Sequence, residues 1–334
     1  MAPSSFDGAV QAVINGDEAE LRRLLDREPD LVHARSPSPH RCTLLHYVGA
    51  NGVENELQKS PANAVEIAGA LLDAGAEVDA TAETYGGGPR QTTLNAVVTS
   101  VWPYLAGVQA DMVDRLLDAG AAVDGLTGDG FPVRVALSFG YPTAAKRLQD
   151  RGCRVDRLDV AAGLGQLERM ERMLAEDPPD RDLLESAFRL ACGNGQIEAA
   201  DLLLRQGVEI DWQLGGEGTG LHHAILHGEG GEAPDGRIAM VRFLIESGAD
   251  QNVQHGKYDA TALDFASYNG RREIVVYLLS QGATDIDEAL ASAAARDHAE
   301  IVVLLLRAGA KPPQSMVADL RANGKGEIAR LLGD

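Results

Sequence analysis

A six-residue string, Leu-Leu-x-x-Gly-Ala, returns along the chain, and no other feature of the sequence restricts the fold as much. It stands at 71–76, 116–121 and 305–310, with close variants at 203–208, 244–249 and 278–283 and weaker ones beginning at Leu24, Leu148, Met173 and Leu331. Successive copies begin 25 to 47 residues apart, around a centre close to 33. Self-similarity at such a period marks stacked repeats rather than one enclosed core. The string reads as the end of an amphipathic helix: the Leu pair packs, and the Gly supplies the left-handed residue that stops the helix. Upstream of each pair lies another short helix that ends in Gly, as in 43–52, 131–140, 219–228 and 261–270. Two antiparallel helices of about ten residues cannot bury their apolar faces alone, and stacking neighbours does so. The expected fold is an all-α solenoid of about ten helical hairpins with short or absent β-hairpin connections.

The starts of the upstream helices carry a family resemblance. Thr43-Leu44-Leu45-His46, Thr219-Gly220-Leu221-His222 and Thr261-Ala262-Leu263-Asp264 resemble degenerate copies of the Thr-Pro-Leu-His motif of ankyrin repeats. The Leu-Leu-x-x-Gly-Ala strings, followed by Glu-Val-Asp, Ala-Val-Asp or Asp-Gln-Asn, resemble that family's second helix and turn. In the fourth unit Phe131-Pro132-Val133-Arg134 departs from the motif, and the units near Arg157, Ile286 and Met316 have no recognisable connecting hairpin. The resemblance implies that the motif Thr and His are structural, tying each helix start to adjacent loops. It also implies a binding surface that needs no cofactor.

Length alone, 334 residues, would suggest two or three domains. No long Gly/Ser or Pro linker divides the chain, so the expectation is one continuous array over 1–334. It would have an N-terminal cap at 1–36, a C-terminal cap at 314–334, and insertions at 51–63, 85–90, 101–107 and 229–235. Aromatic residues make up only 4% against 45% apolar residues overall, which suits thin layers of Ala, Leu, Val and Ile.

Charge and cysteine content exclude several functions. The net charge of -20 opposes binding to nucleic acid or to an anionic membrane, and it favours a basic protein partner. Cys42, Cys153 and Cys192 are odd in number and form no Cys-x-x-Cys pair, so neither a disulfide framework nor a usual zinc site is expected. The segment 1–16 lacks the pattern of a signal peptide, and the longest apolar run, 301–306, is too short to span a bilayer. A monomer in the reducing cytoplasm is the expectation. Arg outnumbers Lys 25 to 5, as codon bias in a GC-rich bacterium would produce.

In such a stack the residues just before the Gly of each first helix face the concave side. That address selects Asn51, Ser100, Phe139, His227, Tyr268 and Asn269 as partner-binding residues. Trp102 and Tyr104 join them from a Pro-broken aromatic insertion, because Trp is enriched at interaction hot spots. Tyr85 and Arg90, two further partner-binding candidates, bracket a Gly-rich loop that lacks the Lys-Ser/Thr of a phosphate-binding loop. His223 and His227 share a helical spacing that can hold a metal, but His222 sits at the structural motif position and no His-Glu-x-x-His pattern exists, so no metal is expected. No catalytic motif is present, and no enzyme activity is expected. The leading expectation is a protein-binding module. The alternative is a small-molecule binder or enzyme with a pocket under the insertions of the second and third repeats, secluding His46, Tyr47, Trp102 and Tyr104.

Overall fold

The computed structural model describes residues 5–85, 91–226, 234–312 and 314–333. These divide by contact density into two compact units, 1–156 and 157–334. The first unit holds four helical hairpins: Ser5–Asn15 with Glu18–Arg27, Leu44–Gly49 with Ala64–Asp73, Thr93–Val98 with Gln109–Asp118, and Phe131–Ser138 with Pro142–Asp150. The second holds six: Leu158–Gly163 with Leu167–Glu176, Arg181–Gly193 with Ile197–Arg205, Gly220–Leu226 with Pro234–Glu246, Ala262–Tyr268 with Arg272–Ser280, Ile286–Ala295 with Ala299–Arg307, and Gln314–Ala322 with Gly326–Gly333. Within each unit, first helices pack on first helices of neighbouring hairpins, and second helices pack in a row through 1–156 and from Pro234–Glu246 onward. Among the described residues there is no named strand, only isolated antiparallel bridges at Arg35–Thr43 and Ala82–Gln91.

The recurring Leu pair divides its work between two environments. Leu71, Leu116, Leu203, Leu244, Leu278 and Leu305, the first of each pair, are fully buried, while the residue that follows is partly exposed. One side chain fills the layer and the other covers its edge. The Gly that follows adopts φ between 82° and 100° at Gly75, Gly120, Gly207, Gly248, Gly282 and Gly309, the left-handed region where a Cβ is strained. The Asp or Asn after that turn links repeat to repeat. Asp79 accepts the N–H of Ala122, Asp124 that of Arg154, Asp211 that of Asp250 and Asn252 that of Thr284.

The insertions fold locally. Within 51–63, Asn55–Leu57 makes a 3-10 turn. The aromatic insertion, expected as an irregular Pro-broken segment, forms the short helix Val101–Leu105 with Pro103 buried within it. Pro sits in the first turn, where its missing N–H costs no helical hydrogen bond. The insertions at 85–90 and 229–235 lie largely outside the described residues.

Candidate functional site

The motif histidines are spent on architecture. His46 Nδ1 accepts hydrogen bonds from the Thr43 N–H (3.3 Å) and hydroxyl (2.9 Å), which leaves Nε2 to donate to the Gln91 carbonyl of the next repeat at 3.1 Å. His222 repeats the arrangement with Thr219 and the Ala260 carbonyl at 3.2 Å. Burial disfavours the imidazolium and holds both rings down at about 4, so each is neutral at physiological pH. His223, considered for metal binding, has its Nε2 3.0 Å from the Glu217 carbonyl. Its proposed partner His227 lies outside the described residues. Burial pushes the Cys42 thiol up to about 12 and raises Cys192 as well, so neither supplies a thiolate nucleophile.

The residues proposed for partner contact separate into exposed and structural groups. Trp102, Phe139 and Tyr268 are 41%, 51% and 40% exposed. Leu105, one helical turn beyond Trp102, is 52% exposed and joins it on the insertion helix. Tyr104 instead packs against Tyr141 with ring centroids 5.0 Å apart, which ties that helix to the loop carrying Phe139. Asn51 donates to the Thr99 hydroxyl at 2.7 Å and accepts from the hydroxyl of Tyr85, a mostly exposed residue. The Asn269 amide donates to the Phe265 carbonyl at 2.9 Å, closing its own helix. Arg90 lies outside the described residues, as His227 does.

Ser100 departs from the address scheme, because it is buried. Its hydroxyl donates to the Ala50 carbonyl at 3.0 Å and accepts from the Trp102 N–H at 3.3 Å. Ser100 is the cap that starts the insertion helix.

Each unit carries a cavity on the side of its first helices. In 1–156 a cavity of about 220 Å³ is lined by Phe6, Gln11, Ser38, Tyr47, Glu54 and Leu57. Burial would raise the Glu54 carboxyl, but hydrogen bonds from the Ser38 hydroxyl at 2.6 Å and the Tyr47 hydroxyl at 2.9 Å, with His40 at 3.1 Å, outweigh it and hold it at about 2. Glu54 and Leu57 belong to the 51–63 insertion, so that insertion does wall a cavity. Trp102 and Tyr104 do not line it, and His46 is committed to its clamp, so the four residues expected to share one site are not brought together there.

In 157–334 a cavity of about 440 Å³ lies across three successive first helices, with Tyr258, Asp264, Phe265, Tyr268, Asn269 and Ser292 in its wall. Sequence reasoning named Tyr268 and Asn269 but missed Tyr258, Asp264, Phe265 and Ser292. One signal was available: Asp264 stands where the related quartets have His.

This architecture defines a class, the stacked helical-hairpin repeat whose helix starts are locked by Thr and His. Three overlapping matches to the family model for ankyrin repeats cover 158–255, 188–288 and 231–316. An ankyrin repeat and KH domain-containing protein, mask-1, of Caenorhabditis elegans is 30% identical over 186 residues, covering 53% of this chain and 7% of the relative. The palmitoyltransferase AKR1 of Lachancea kluyveri is 32% identical over 111 residues, 32% of this chain and 14% of its own length. An ankyrin repeat and SAM domain-containing protein 6 of Rattus norvegicus is 40% identical over 67 residues, 19% of this chain and 8% of its own. In each case the similarity spans a small part of the relative. Residues 158–316 thus match ankyrin repeats, and the chain is similar to ankyrin-repeat proteins.

Proposed function

We propose that the chain is a protein-protein interaction module that grips its partner through the face made by its first helices and through its insertions. The exposed apolar group Trp102, Leu105 and Phe139 carries this reading. Large apolar side chains left in water, here on the insertion helix and on the loop that its Tyr104 ties in through Tyr141, are costly and point to a surface that another molecule covers. In 1–156 Tyr85 is also exposed, with Asn51 as its polar neighbour, and in 157–334 Tyr268 is exposed next to Asn269. The net charge of -20 favours a basic partner and disfavours nucleic acid. Among the described residues no helix is long and apolar enough to cross a membrane. Cys42 and Cys192 are buried free thiols, which suits a reducing compartment such as the cytoplasm. We read the module as a monomer without cofactor or enzymatic activity.

The test is affinity capture followed by mass spectrometry with the intact chain and with a Trp102→Ala/Phe139→Ala variant. A partner retained by the first and lost by the second supports the reading, whereas equal capture removes the apolar group from it. Affinity for that partner should fall as salt rises. The cavity walled by Glu54 favours a second reading, a small-molecule site under the 51–63 insertion. A ligand that stabilises the protein, but not its Glu54→Gln variant, would support it.

A further inference from the structure

The third Thr-x-x-His quartet differs from the other two in a way that changes the chemistry of the larger cavity. Where His46 and His222 send a ring N–H to a carbonyl of the next repeat, Asp264 has only acceptors to offer. Its Oδ2 takes over the local clamp, accepting from the Thr261 N–H and hydroxyl, both at 2.8 Å. Its Oδ1 is buried and accepts no hydrogen bond among the described residues. Asp264 is 6% exposed and lines the cavity. A buried carboxylate oxygen without a donor is expensive, and the expense is recovered when a donor arrives.

The rest of the wall favours a donor that is also a cation. Three rings, Tyr258, Phe265 and Tyr268, surround the space, and aromatic faces attract ammonium and guanidinium groups. The chain's own cations already show the attraction: the Lys257 ammonium lies 5.4 Å from the Tyr258 ring centre, and the Arg296 guanidinium 4.7 Å from that of Tyr268. Asp285 and Glu288 add negative potential at Asp264. Asn269 and Ser292 provide further polar groups at the wall.

We propose that this cavity receives a basic side chain, arginine or lysine, from the protein partner, with its charged end on Asp264 Oδ1 and its stem against Phe265 and the two tyrosines. The proposal rests on the binding-module reading and names the chemistry of one contact within it.

The experiment is a 1H–15N chemical-shift titration of the intact protein with N-acetyl-arginine amide and, as the uncharged counterpart, N-acetyl-citrulline amide. The arginine probe should give saturable shifts across 258–269 and at Ser292, and the citrulline probe should not. Asp264→Asn keeps a carbonyl oxygen for Thr261 and should weaken arginine binding about tenfold or more. Asp264→His restores the quartet of the other repeats and should abolish binding in a folded protein. Tyr258→Ser, at an exposed ring whose loss leaves the core intact, should also weaken it. Equal binding of the two probes, absence of saturable shifts, or unchanged affinity in the Asp264 and Tyr258 variants would overturn the proposal. If the arginine probe fails while Trp102→Ala/Phe139→Ala still loses its partner, this inference falls alone. If the probe binds while that variant keeps its partner, the apolar group is removed and the cavity stands.

Discussion

Glu185 carries a buried carboxyl that makes no ion pair among the described residues. It is 5% exposed on the helix Arg181–Gly193, yet the nearby Arg181 guanidinium is engaged with Glu209 at 3.0 Å and lies 3.6 Å from the centre of the Trp212 ring. Burial therefore raises the Glu185 carboxyl to about 7, with Glu209 adding to the rise and Arg181 opposing it. The folded state then holds a proton that the unfolded state releases near the ordinary value of 4.5. Stability contributed by this group is complete below about pH 4.5 and is lost as pH rises towards 7. His46 and His222 act with the opposite sign, since the unfolded chain takes up protons near 6.5 that the folded rings accept only near 4. Glu185→Gln should remove the first dependence and keep the second. The variant should gain about 1–2 kcal/mol over the parent above pH 7, after allowance for solvent screening, and the difference should vanish near pH 4. Urea unfolding across that range checks it. At this scale the sequence showed which residues occupy motif positions, but not that Asp264 Oδ1 has no donor, or Glu185 no ion pair, among the described residues, because pairing depends on neighbours remote in sequence.

Among the elements, the helix Val101–Leu105 illustrates how an insertion is held. Ser100 caps its start and donates to the Ala50 carbonyl, while the Gln109 amide donates to the carbonyls of Val97 and Ser100 at 3.0 and 3.2 Å. These bonds fix a five-residue helix that would not persist alone. Ser100→Ala should cost about 1–2 kcal/mol in thermal unfolding and should also weaken partner capture, by loosening the platform for Trp102 and Leu105. A variant as stable as the parent would refute the capping role. The regular helices were legible because the Leu pair, the Gly stop and the Thr start are local signals. The insertion helix was not, since Pro inside an aromatic pentapeptide reads as a breaker until Pro103 is seen in the first turn.

For the whole molecule, stability is expected to follow the layers. Leu116 is fully buried on Gln109–Asp118, which packs against Ala64–Asp73 and Pro142–Asp150. Leu116→Ala should cost about 2–5 kcal/mol, and hydrogen exchange should show protection falling first in those three helices. Protection lost equally throughout 1–156 would contradict nearest-neighbour stacking. The sequence by itself determined the repeating hairpin, its buried Leu and its Gly stop, because helix period, left-handed φ and capping are written in short stretches of chain. Only the tertiary structure decided that contact density divides the described chain at 156 and 157, that Ser100 is buried while Phe139 is exposed, and that Asp264 lines an aromatic cavity. Exposure and hydrogen-bond satisfaction are properties of the packed layers: residues at equivalent repeat positions acquire different roles from the groups that the adjacent layer supplies.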